Sequence, residues 1–143
     1  MSDPALTHVY EDRFGEVIDH ADAGYVEVRW YDTTAEMSKE QFEEWLAGFA
    51  GALEQLRRAG VLIDGTSFLM NPGNNDMEWR DAHIVPRYNA AGVEKFAFHM
   101  PAGMPAIGAP PSREGPADYP TAYFGRRQDA LDWLVSTDGA STP

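Results

Sequence analysis

The sequence predicts an α/β domain: a mixed sheet of about four to five strands, opened by an N-terminal hairpin and continued by parallel βαβ crossovers, with helices packed on it. Three stretches carry this reading. Over 25–31, Val26, Val28 and Trp30 alternate with Tyr25, Glu27, Arg29 and Tyr31, the period of two that marks a half-buried strand. Phe42, Trp45, Leu46, Phe49, Leu53 and Leu56 then recur at helical spacing and form one apolar stripe. Directly after it, Val61-Leu62-Ile63-Asp64 is a short apolar run between two glycines, the pattern of a buried strand. Strand, long helix and buried strand make a crossover unit, which pairs its strands in parallel.

The elements follow in order. Residues 15–32 read as a hairpin, with Val17 and Ile18 in its first strand and His20 to Gly24 as its turn. Val9 and Tyr10 add a short edge strand. A helix is expected over 39–59. Ser38 caps it with Gln41 three residues on, and Met37 and Phe42 form a hydrophobic staple. Glu40, Glu43 and Glu44 suit the positive end of its dipole, Arg57 and Arg58 the negative end, and Gly60 supplies a left-handed stop.

Asn71-Pro72-Gly73-Asn74-Asn75 is a turn cluster, and Asn75 is expected to cap a second helix with Glu78 at the capping-box position. Pro86 ends or kinks that helix, because it has no N–H to bond to Ala82, and a further turn runs to Gly92. Lys95 to His99 is a strand with Phe96 and Phe98 on one face. Thr121 to Phe124 is another, and Gln128 to Val135 closes the domain as a helix with Ala130, Leu131, Leu134 and Val135 inward. Between them, 101–120 is dense in proline and glycine and carries no period, so it reads as a long loop inside a single domain of residues 1–135. Residues 136–143 read as a disordered tail.

A chain of 143 residues can bury a core without staples, and it has no cysteine, which excludes disulfides, thiolate metal sites and a cysteine nucleophile. Eleven basic against 23 acidic residues give a formal charge of −12, which disfavours nucleic acid and anionic bilayers. No apolar run suits membrane insertion, and Met1-Ser2-Asp3-Pro4 lacks the regions of a signal peptide. The expectation is a cytoplasmic protein.

The hairpin strand Val26-Glu27-Val28-Arg29-Trp30 precedes a helix opening Met37-Ser38-Lys39-Glu40-Gln41-Phe42, and a strand ending in Asp64 follows. Glu78-Trp79 opens the next helix, which leads to Pro86 and Gly92, then to Lys95-Phe96-Ala97-Phe98 and finally to Asp129-Ala130-Leu131-Asp132-Trp133-Leu134. Over about residues 14–135 this order resembles the STAS-like superfamily. Within it, the chain is most similar to small bacterial proteins related to anti-sigma-factor antagonists and CRAL-TRIO domains. The resemblance implies a STAS-like fold and a regulatory or interaction role. The phosphorylated Ser or Thr that such antagonists carry at the start of the second helix has no counterpart, since 71–76 contains no hydroxyl residue.

Candidate site residues gather where an open α/β sheet binds ligands, beyond the carboxyl ends of its strands. Asp64, Thr66 and Ser67 leave the buried strand there, although Asp64-Gly65 is first a turn signal. Asn74 and Trp79 flank the start of the second helix, where Asn74, Asn75 and Asp76 can serve as caps or as an anion site. His83 and His99 approach the same edge without metal-ligand spacing, and Met104 lies in the long loop, which reads alike as a lid, as half of a dimer contact or as a disordered insertion. No phosphate loop, dinucleotide fingerprint or nucleophile elbow is present. No cofactor, metal or catalytic set is assigned.

Three readings follow. The first is a non-enzymatic interaction module, working on a protein partner or as a homodimer. The second is a carrier or sensor of a small apolar ligand beneath the 101–120 loop. The third, least favoured, is a small hydrolase-like enzyme using Asp64, Asp76, His83 or His99.

Overall fold

A computed structural model describes residues 6–136. The first strands are β1 (Leu6–Glu11), β2 (Gly15–His20) and β3 (Tyr25–Trp30), joined as an antiparallel meander. Helix α1 (Lys39–Leu56) and strand β4 (Gly60–Asp64) complete the crossover, with β4 parallel to β3. Two short helices follow, α2 (Met77–His83) and α3 (Val85–Ala91), then strand β5 (Lys95–His99). The chain ends through β6 (Ser112–Arg113), β7 (Pro120–Phe124) and α4 (Arg127–Val135). The sheet order is β1-β2-β3-β4-β5-β7-β6, with β3, β4, β5 and β7 parallel and both flanks antiparallel.

The α/β class and the mixed sheet agree with the sequence reading, but the sheet has seven strands rather than four or five. The two additions lie at its edges. β1 runs well beyond Val9 and Tyr10 and is exposed, with a register shift between His8 and Tyr10 that breaks any regular pattern. β6 is two residues long and takes its form only from pairing with Thr121 and Pro120.

The Ser38–Gln41 capping box forms as the sequence implies. Phe42, Trp45, Leu46, Phe49 and Leu53 are buried along α1. The helix ends earlier than residue 59, however. Arg57, not Gly60, takes the left-handed conformation with φ 54°, and Gly60 opens β4. At the second helix the cap is Asp76, not Asn75: its Oδ1 accepts the Trp79 N–H at 3.1 Å. Pro86 lies in the first turn of α3, so the break falls at Ile84 and the segment to Gly92 is a helix of its own.

Helices α1 and α3 pack over one sheet face, with the main core between them and the strands. That core takes Val26, Val28 and Trp30 from β3, Val61 and Ile63 from β4, and Phe96 from β5. On the other face α4 covers a smaller core of Tyr25, Leu62, Ala97 and Ala130. β3 is therefore buried on both faces rather than half-buried, and Glu27 is fully enclosed. Val135, read as inward, is exposed. The tail reading falls on 136–143, of which 137–143 lie outside the described residues. No described helix is long and apolar enough to cross a membrane.

Candidate functional site

Because side chains alternate along a strand, each strand of the sheet contributes to two different surfaces. On the α1 face, Val28, Trp30, Ile63, Phe96, Phe98, Thr121 and Tyr123 floor a cavity of about 370 Å³. Phe42, Trp45, Leu46 and Phe49 of α1 form one wall, and Val85 and Tyr88 of α3 contribute to another. Glu114, Gly115, Ala117 and Tyr119, from the 101–120 segment, form the roof. The volume falls within the roughly 300–1,000 Å³ of small-molecule sites, and the aromatic lining with few polar groups is of the same kind.

The roof is fastened to α3 by one side chain. Asn89 donates through Nδ2 to the Pro116 carbonyl at 3.0 Å, and its Oδ1 accepts the Asp118 N–H at 2.9 Å. These two bonds bracket Ala117, which lines the cavity. At the strand end, Gly65 closes the floor beside Met100. A Cβ there would come within 2.9 Å of the Met100 sulfur.

The charged groups of the cavity come from α2 and the roof. Arg80 and Asp81 line it from α2, and Glu114 from the roof accepts the Tyr123 hydroxyl on both oxygens at 2.9 and 2.8 Å. Arg80 is the only basic residue among the described lining residues. Its Nη1 donates to Asn75 Oδ1 at a long 3.4 Å and to Met77 Sδ at 3.5 Å, and its Nε is buried with no partner. Burial raises the hydroxyl pKa of Tyr88, Tyr119 and Tyr123, and the Arg80 charge works against that rise at all three.

None of the eight residues singled out in the sequence lines this cavity. Asp64 Oδ1 accepts both the N–H and the hydroxyl of Thr66, at 3.1 and 2.7 Å, so it caps the strand-exit turn. Ser67 is exposed beside it. Asn74 donates to the Met37 carbonyl at 3.0 Å and ties its turn to the start of α1. Trp79 packs against the main core with its ring 5.6 Å from that of His83, which is exposed. Met104 is 43% exposed.

Asp64 and His99 are brought together. Asp64 pairs in register with His99 across β4 and β5, and His99 Nδ1 is buried without a hydrogen bond, 3.9 Å from Asp64 Oδ1. Both follow the parity of Leu62 and Ala97, so they belong to the α4 face, opposite the cavity.

Comparison with known proteins gives no likeness to build on. No family model, curated protein or solved structure matches this chain. The site is thus described by its own geometry.

The α4 face holds a second polar group. Glu27 accepts Arg127 on both oxygens at 2.7 and 2.9 Å, Arg29 at 3.1 Å and His20 at 2.9 Å. Burial pushes its carboxyl upward, but the hydrogen bonds and charges of Arg127 and Arg29 outweigh this and hold it at about 2. Arg29 also reaches Glu16 at 3.3 Å, which in turn meets His8. Every oxygen of Glu27 is engaged, so the cluster fixes α4 to the hairpin and leaves its carboxylate no spare acceptor for a substrate.

Proposed function

We propose that this chain binds a small, mainly apolar molecule in the aromatic cavity and serves as a carrier or sensor for it. The carrying observation is the cavity itself: about 370 Å³, roofed by the 101–120 segment and placed at the carboxyl end of the parallel strands. Sites in open α/β sheets recur at that end. The STAS-like resemblance is part of the same proposal, supported by a hairpin that leads into a parallel crossover.

A second reading, an interaction module, draws on Leu69 and Met77, which are 57% and 51% exposed. The enzymatic reading has less behind it. Of Asp64, Asp76, His83 and His99, only Asp64 and His99 lie together, while Asp76 caps α2 and His83 faces outward.

Native mass spectrometry of gently purified protein, followed by denaturing mass on the same sample, tests the proposal. Excess mass that disappears on denaturation is the expected result. A bare chain mass, together with unchanged tryptophan emission on titration with 4-phenylbutan-1-ol, would reject it, because Trp30 and Trp45 line the cavity and report its filling.

A further inference from the structure

The lining of the cavity is apolar and aromatic except near α2, and there its polar groups differ in what they lack. Glu114 is exposed and its carboxylate is held by Tyr123. Asp81 lies against the roof at Gly115, and neither of its oxygens is both buried and unsatisfied. Arg80 is the exception. It makes no ion pair among the described residues, and its guanidinium contacts are a neutral amide and a thioether. Arg80 thus brings the one basic charge of the described lining to this mouth without a carboxylate paired to it, and an anionic acceptor complements that charge. A guanidinium pairs best with a planar carboxylate.

Resting on the reading of the cavity as a small-molecule site, we propose that its ligand is an aromatic or aliphatic monocarboxylate, with the carboxylate on Arg80 and the apolar body among Trp30, Trp45, Phe42 and Phe96. The aromatic floor supplies the affinity and Arg80 selects the acid. The two nearby carboxylates set the limit of this selection: a dicarboxylate, or an acid with further negative charge near its head, meets Asp81 and Glu114 and is rejected.

The test uses three probes with one body and three heads: 4-phenylbutyrate, 4-phenylbutan-1-ol and 4-phenylbutylamine. Binding is measured at neutral pH by calorimetry and by tryptophan emission, on the wild-type chain, Arg80→Gln and Arg80→Lys. The acid is expected to bind about tenfold or more tighter than the alcohol, as a charge-assisted pair does over a neutral one. Arg80→Gln should bring acid and alcohol to the same affinity, and Arg80→Lys should restore part of the acid's advantage, with thermal melts confirming that both variants fold. Equal affinity for acid and alcohol, or tighter binding of the amine, would overturn the proposal while leaving the cavity reading in place. Failure of all three probes to bind would overturn both.

Discussion

Glu27 in β3 and Arg127 at the start of α4 stand 100 positions apart and close a two-pronged ion pair at 2.7 and 2.9 Å. Glu27 has no exposed surface, so the pair, together with Arg29 and His20, is what allows a carboxylate in the second core. Glu27→Ala is expected to lower unfolding free energy by about 1–3 kcal/mol, because it removes the enclosed carboxylate that Arg127, Arg29 and His20 share. Urea denaturation of the two proteins measures it. A loss near zero would mean that solvent takes over the role of the carboxylate.

The same residue sets an acid limb of stability. Its folded carboxyl is held at about 2 against an ordinary 4.5, so the native state is the poorer proton binder. The contribution is complete above about pH 4.5 and is lost as pH falls toward 2. Asp12, Glu54 and Asp76 are shifted downward as well and act in the same direction. Stability measured across this range should decline steeply in the wild type and less steeply in Glu27→Gln.

Helix α1 carries both the capping box and the apolar wall of the cavity. Ser38→Ala removes the acceptor of the Gln41 N–H and should cost about 1 kcal/mol. Leu53→Ala, at a position with no exposed surface, should cost roughly 2–5 kcal/mol through lost burial and the void left behind. Thermal melts that place the cap variant below the core variant would reverse the expected ranking.

Ala117 projects from the roof into the lining and is buried. Ala117→Phe should occupy the space a ligand needs and abolish the emission change of Trp30 and Trp45 on titration with 4-phenylbutan-1-ol. An unchanged titration would place the binding elsewhere.

The fold was most legible where local and global signals agree. In α1 the cap, staple and stripe all lie within one segment and point to one structure. β1 was read only in part because an exposed edge strand has no buried face to impose alternation, and its bulge interrupts what pattern remains. β6 has two residues and no signal apart from its partner. The site was harder still. Asp64 and His99 mark the right edge of the sheet, yet strand parity turns them toward α4, while Ile63 and Phe98 beside them reach the cavity. Trp30, Trp45 and Phe42 were read as core and are core, but they also leave room beside them, which spacing alone does not reveal. Arg80 has no motif around it. Its significance lies in a partner it lacks, and only packing displays that.

Asn89 couples two attachments of the roof. One amide holds the roof at Pro116 and at Asp118, so both bonds turn with a single side-chain rotation and are released together. The sheet side of the roof stays in place when they go, held by Glu114 on the Tyr123 hydroxyl and by β6 on β7. The two sides are thus held independently, and a substitution at Asn89 loosens the α3 side of the roof while leaving the aromatic floor as it is.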